Sequence, residues 1–429
     1  MTASVNGPMT GAQMHDLVRR LYPLCRSITG DGLRRTLEII GESISLELTE
    51  VPTGTEVLDW TIPREWNIRD AYLKDASGRR VVDFQRSNLH VVGYSGPVEA
   101  TMSLAELRGH LHTLPDQPDL VPYRTSYYAD TWGFCLSQRT LDGLGDGPYE
   151  VRIDSTLADG HLTYGEHVVR GRSSAEVLIS CHVCHPSLAN DNLAGVAVAV
   201  ALAQRLTDPW YTYRFIFAPG TIGAIAWLAL NRGRADRIKH GLTLACAGDG
   251  GTIHYKRSRR GDAEIDQVFA HVLKDRPHTL LDFSPYGYDE RQYCSPGFNL
   301  PVGSLTRTPY GSYPEYHTSA DNPDFVLPAA MEDTLETLWS AVRVLEGNRR
   351  YQNLSPYGEP QLGRRGLYGS LGGRSDTKQA QMAMLWVLNL SDGTHSLLQI
   401  AERSSLPFEA LAEAAHVLQS AGLVKEWVG

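Results

Sequence analysis

The chain has 429 residues, more than the ~250–300 that a single hydrophobic core sustains, so two or three domains are expected. Apolar residues at 42% and charged residues at 21% are the balance of a soluble globular protein and exclude a disordered or membrane-embedded chain. With 40 basic against 49 acidic side chains the formal net charge is −9, which argues against nucleic acid or an anionic membrane as the main partner.

At the N-terminus "MTASVNGPMTGAQMHDL" lacks the apolar core of a secretory leader, and no stretch approaches the ~20 apolar residues of a membrane helix. Six cysteines are scattered rather than spaced as a disulfide framework, so a reducing, cytoplasmic setting is expected. "MHDLVRRLYPLC" and "GLRRTLEIIGESI" carry apolar residues at helical spacing. From Val51 to Tyr149 the character changes: "DWTIPREWNIRDAYL", "GRRVVDF" and "SNLHVVGYS" alternate apolar with polar residues and predict short antiparallel strands. Residues 51–149 thus read as an inserted β-rich domain, whose aromatic side chains (Trp60, Trp66, Tyr123, Tyr127, Tyr128, Trp132) belong to its core or cover a pocket.

From Glu176 the rhythm becomes strand–loop–helix. "EVLIS", "YRFIFAP" and "GLTLACAGD" predict strands, with helices over "LAGVAVAVALAQRL" and "GAIAWLALNRG". Such alternation predicts an α/β domain, residues 1–50 with 150–356, built on a mostly parallel sheet with helices on both faces and its chemistry beyond the strand ends. Residues 357–375 are glycine-rich and read as a linker. Residues 376–429 predict a winged-helix domain. Three basic residues there (Lys378, Arg403, Lys425) face six acidic ones (Asp376, Asp392, Glu402, Glu409, Glu413, Glu426), so no stripe exists to neutralise phosphates. The module is therefore assigned to packing or to subunit contact in a homo-oligomer.

Four segments place an imidazole or carboxylate at or near a predicted strand end, the groups and positions that suit a divalent cation. These are His182 in "CHVCHPSLANDNLAG", Asp191 in the same stretch, Asp249 after "LTLACAG", and His317 in "YPEYHTSADN". Their order resembles the metal-binding series of the M28 family of zinc aminopeptidases. "DNLAG" resembles that family's Asp-Asn-x-Ser-Gly signature and "YHTSADN" its late His-Thr-Ser-x-Asp motif. The whole chain is similar to an uncharacterised branch with an inserted β domain and a C-terminal winged helix. The resemblance implies a phosphorylase/hydrolase-like aminopeptidase sheet, with Asp191 shared between a site completed by His182 and Asp249 and a neighbouring one holding His317. It puts Cys184 where the family has an aspartate that orients the ligand imidazole, makes Asp321 a carboxylate behind His317, and leaves His185 as a structural hydrogen-bonder.

The pattern breaks after "YRFIFAP". Where M28 enzymes carry a general-base glutamate and then a ligand glutamate, this chain has Gly220 and Thr221. Ligand counting then favours one tightly bound zinc ion, held by His182, Asp191 and Asp249, with His317 joining it or lying close. Losing the base removes ~10²–10⁴-fold of rate but does not abolish hydrolysis. Asp289, Glu290 and Glu315 are the candidate replacement carboxylates, and Arg291, Tyr293 and Tyr310 the candidate substrate-binding groups. The leading expectation is a zinc-dependent aminopeptidase-like hydrolase acting on an amide or amino-acyl bond of a small molecule or short peptide-like substrate. The alternatives are a non-hydrolytic acyl transferase or cyclase on the same fold, and a catalytically inactive binding protein.

Overall fold

A computed structural model describes residues 9–367 and 375–427. Residues 368–374 of the expected linker lie outside the described residues. Contacts divide the chain into two units, Met1–Gln267 with Leu273–Leu338, and Val268–Val272 with Trp339–Gly429.

The first unit is built on an eight-stranded sheet. Its strands in chain order are β1 (Glu47–Pro52), β2 (His161–Val169), β3 (Glu176–His182), β4 (Thr212–Ala218), β5 (Ile238–Leu244), β6 (Ile253–Lys256), β7 (His278–Leu281) and β8 (Val302–Thr306). They lie side by side in the order β1-β2-β4-β3-β5-β8-β6-β7. The four central strands β4, β3, β5 and β8 are parallel, whereas β1, β2 and β6 join antiparallel. Every residue of β3, "EVLISCH", is buried. Successive side chains of a strand point to opposite faces, so this uniform burial means that both faces are covered. The helix Gly195–Arg205 packs on β3, β4 and β5, and Ile222–Leu230 on β2.

The β-rich segment forms a separate antiparallel sheet in the order Arg80–Asp83, Glu65–Lys74, Tyr149–Ala158, Val98–Met102. Tyr149, Val151 and Ile153 alternate inward onto Leu73, Val82, Leu107 and Phe134. "SNLHVVGYS" departs from the predicted strand. Ser87 Oγ accepts from the Leu89 amide and starts a short turn over Asn88–His90, and Tyr94 at φ 68° then bends the chain out of extended geometry. Trp66 is buried, as a core residue should be, but Trp60 and Tyr128 are exposed.

The second unit contains the helices Leu397–Ser404 and Phe408–Ser420 and a three-stranded antiparallel sheet with Arg350–Asn353 between Asp392–Ser396 and Val424–Glu426. Ser396 and Gln399 form a capping box at the first helix, which fixes where the turn begins. Leu397, Leu398, Ile400, Leu411, Ala415 and Leu418 supply the apolar interior.

One ion cluster ties the sheet strands together. Arg214 on β4 donates to Glu166 on β2 at 2.8 Å and to Glu176 on β3 at 2.6 Å, all three side chains being buried. Trp227 Nε1 adds a bond to Glu166 at 2.9 Å. Breaking such a cluster leaves uncompensated buried charge. Arg214→Met is expected to destabilise the protein by ~3–5 kcal/mol, read as a shift in the denaturant unfolding midpoint. A midpoint unchanged from wild type would show the cluster to be dispensable.

Candidate metal centre

Asp191 has no exposed surface, yet three imidazoles converge on it. His182 Nε2, at the end of β3, lies 2.9 Å from Oδ1. His317 Nε2 lies 3.0 Å and His185 Nδ1 3.1 Å from Oδ2. Burial alone would raise the Asp191 pKa, but His185 and His182 outweigh it and hold the carboxyl well below its ordinary range. Burial lowers the pKa of His182 and His317, whereas Asp191 lifts that of His185 well above the usual imidazole value against its own burial. Tyr288 stacks on His182 at 4.9 Å, and Tyr123 meets both His185 and His317 edge-on or tilted at 5.1 and 5.0 Å.

The loop carrying Asp191 is held by side chains rather than by regular helix. Asp321 accepts the backbone amides of Ala189 and Asn190 on Oδ1 and that of Asp191 on Oδ2, at 3.1, 2.6 and 3.0 Å. It therefore clamps the Asp191 loop instead of backing His317 as the family pattern implies. Burial pushes its carboxyl up to about 7, although three amide donors favour the anion. Asn192 Nδ2 donates to the Leu244 carbonyl at 2.9 Å, pinning the loop to the end of β5. Gly195 is required here, because a Cβ would stand 2.2 Å from Asn192 Oδ1 and 2.8 Å from the Leu244 oxygen. The His317 loop is in turn zipped to the β-rich segment. The Tyr123 amide donates to the His317 carbonyl at 2.8 Å, and Val121 and Ser319 exchange two bonds at 2.9 and 3.0 Å.

Asp249 does not reach this cluster. Strand β5 ends at Leu244, and Cys246 takes a left-handed φ of 46°, so the chain turns before Asp249. Its carboxylate accepts from Asn190 Nδ2 at 3.0 Å, the Gly251 amide at 2.7 Å, and the Thr308 amide and hydroxyl at 3.1 and 2.6 Å. Four donors on one carboxylate make a brace between loops rather than a free ligand. His185, expected as a structural hydrogen-bonder, does bond the Asp191 backbone carbonyl through Nδ1 at 3.1 Å, and the same nitrogen lies 3.1 Å from Asp191 Oδ2. Among the described residues the histidine, cysteine and acidic side chains close enough together to hold an ion are His182, His185 and Asp191. Cys184, at the orienting position, points its thiol at the Gly220 carbonyl at 3.7 Å.

The remaining candidates separate clearly. Glu290 is fully buried and takes Lys256 Nζ at 2.7 Å and Thr243 Oγ1 at 3.2 Å, which makes it an internal ion pair. Tyr293 is also fully buried, sharing a hydroxyl contact with Ser180 at 3.1 Å and packing on Trp227, so it belongs to the core and not to substrate. Tyr310 is half-buried and spends its hydroxyl on the Tyr286 carbonyl at 2.9 Å. Arg291 lies over the Tyr286 ring with a buried, unpartnered Nε. Glu315 is half-buried, and among the described residues no side-chain bond links it to His182, Asp191 or His317; only its carbonyl is used, by Thr318. Asp289 differs from the other two candidate carboxylates. It is 2% exposed and its Oδ1 has no hydrogen-bond partner. A Cβ placed on Gly220 would stand 3.5 Å from that oxygen and 3.2 Å from the His182 Cβ, so the missing side chain at 220 leaves Asp289 the space beside His182. Burial, with Glu290 adding to it, raises the Asp289 carboxyl to about 7.

The donor set tests well against zinc, which takes imidazole nitrogen and carboxylate oxygen and favours three protein ligands with one open position. His182, His185 and Asp191 offer that set, with His317 on the same carboxylate. Asp191→Asn and His185→Ala are both expected to abolish retention of zinc, while Asp249→Asn keeps about one ion per chain. Metal analysis after gel filtration in metal-free buffer reads this directly. Retention in His185→Ala together with loss in Asp249→Asn would return Asp249 to the ligand set.

Residues 15–348 match a family described as a domain of unknown function (DUF4910), and residues 349–426 match a winged helix-turn-helix family. A protein of Clostridium acetobutylicum, provisionally named a polysaccharide biosynthesis protein with aminopeptidase-like domain, is 49% identical over 424 residues and covers 98% of each chain. A crystal structure from Clostridium acetobutylicum, provisionally described as a peptidase, aligns with a TM-score of 0.91 at 47% identity over 97% of this chain and 96% of that one. BSAP, a zinc aminopeptidase from Bacillus subtilis, aligns with a TM-score of 0.58 at 11% identity over 79% of this chain and 96% of that one, a likeness of fold alone. The chain belongs to the DUF4910 family and carries a C-terminal winged helix-turn-helix module.

Proposed function

We propose that this protein is a zinc-dependent hydrolase that cleaves an amide or amino-acyl bond in a small molecule of saccharide biosynthesis. The observation that carries the reading is Asp289: a buried carboxylate with an oxygen left unpartnered, beside His182 and in the space Gly220 leaves free. Unpartnered buried oxygens are costly, and their persistence points to a use that the resting chain does not display. The fold of the zinc aminopeptidases supports hydrolysis, and the name of the Clostridium acetobutylicum relative supports a saccharide context.

His182, His185 and Asp191, with His317, would hold the zinc ion, which when bound supplies Lewis-acid polarisation of the scissile carbonyl. Asp289 Oδ1 takes the proton from the attacking water and returns it to the leaving nitrogen, the work done by glutamate elsewhere in the fold. Tyr288 keeps the His182 ring in its plane by stacking, and Tyr123 braces His185 and His317 through tilted and edge-on ring contacts. Asp321 holds the Asp191 backbone so that the carboxylate cannot follow the substrate.

A base must be deprotonated to act, and burial has raised the Asp289 carboxyl above its ordinary value to about 7. Below that pH it is protonated and idle, so the rate rises with pH; a bound cation lowers the midpoint from there. Hydrolysis of aminoacyl anilides and N-acyl amino sugars is therefore expected to climb to a plateau with a midpoint at or below about 7. Asp289→Asn should reduce kcat by ~10²–10⁴ and remove this limb while zinc content stays unchanged. Glu315→Gln should retain the wild-type rate. Undiminished turnover in Asp289→Asn would rule the assignment out.

A further inference from the structure

Aromatic side chains lead from the metal centre to the surface through the β-rich segment. Tyr123, in ring contact with His185 and His317, shares a hydroxyl bond of 2.8 Å with Tyr127. Tyr127 meets Tyr94 edge-on at 5.6 Å and Tyr128 at 6.3 Å, and Tyr128 tilts against Trp60 at 5.5 Å. The outer pair is exposed, Tyr128 by 56% and Trp60 by 45%. At this end lies a cavity of about 210 Å³ lined by Pro63, Arg64, Tyr94, Tyr127, Tyr128 and Asp130.

Three features of the cavity define its ligand. Its volume is below the ~300–1,000 Å³ of sites for drug-sized molecules, so it accommodates a single ring. Its wall is preorganised: Tyr94 is stacked on Trp66 at 5.7 Å and its hydroxyl is fixed by Thr29 and by the Arg64 carbonyl. Its polar groups are of both kinds, because at its exposed rim Arg64 offers planar donors and Asp130 acceptors, 3.2 Å apart. A phosphate would find no uncompensated cation among the lining residues. A sugar hydroxyl both donates and accepts, and the C–H face of a pyranose packs on aromatic rings. We propose that this cavity binds one uncharged hexopyranose ring of the substrate, which makes that substrate a glycoside whose cleaved bond lies beyond the bound ring, past Tyr127 and Tyr123 towards the metal centre.

This inference rests on the hydrolase reading for the identity of the cleaved bond, but not for binding of the ring. The full chain, metal-stripped and zinc-loaded, is titrated with N-acetyl-D-glucosamine by saturation-transfer NMR, with uridine 5′-diphosphate as the charged comparator. Saturation is expected on the sugar ring protons in both forms and not on the nucleotide. Tyr128→Ala, at an exposed lining position, should weaken sugar binding about three- to tenfold, and Trp60→Ala, which only braces Tyr128 from outside the cavity, should weaken it less, with both variants expected to melt as the wild type does. Absence of transfer to the sugar, wild-type binding in both variants, or preferential binding of the nucleotide would each overturn the proposal. Sugar binding in a protein that takes up no zinc would uphold the subsite and refute the hydrolase. Zinc uptake and Asp289-dependent hydrolysis without sugar binding would do the reverse.

Discussion

A single carboxylate removed from water organises this structure. Asp191 has no exposed surface and, among the described residues, makes no ion pair with lysine or arginine; what faces it are three imidazole rings on two separate segments of chain. A charge so placed is tolerated only if its position is fixed and its partners are ordered. The surroundings do both. Asp321 fixes the backbone beneath it, Asn192 binds the same loop to the end of β5 and Asn190 binds it to the loop that follows, and Tyr123 and Tyr288 hold the rings. The central parallel strands matter to function chiefly because they deliver these loops to one rim.

The departure at Gly220 and the orphaned oxygen of Asp289 belong together. A side chain at 220 would compete for the volume beside His182 that Asp289 now faces. The short helix Glu290–Tyr293 then directs successive residues to different surroundings, with Glu290 drawn to Lys256 on β6 and Tyr293 into the core against Trp227. Of the three adjacent charged residues at 289–291, one is anchored by an ion pair, one lies over an aromatic ring, and one keeps an oxygen unpartnered.

Much of this architecture was readable in the chain. Apolar runs such as "EVLIS" and "YRFIFAP" mark buried parallel strands, because a strand covered on both faces loses the alternation that would confuse it with an edge. The small-residue helix after "DNLAG" was equally plain. What escaped detection depends on single dihedral angles and on side-chain direction. No spacing reveals that Cys246 turns left-handed and carries Asp249 away from the rim towards Asn190 and Thr308. Nor does it reveal that His185, followed by proline, turns back to Asp191 while Cys184 turns to the Gly220 carbonyl. In "SNLHVVGYS" the alternation was genuine, but the hydroxyl of Ser87 offered the backbone a competing turn.

The seam between Val121–Tyr123 and His317–Ser319 has a mechanical meaning. Its backbone bonds join the β-rich segment to the very loop that presents a histidine to Asp191, and Asp321 sits four residues further along that loop. Swinging that segment aside would drag His317 from its carboxylate and loosen the grip of Asp321. The segment is therefore held as a fixed wall beside the Asp191 cluster.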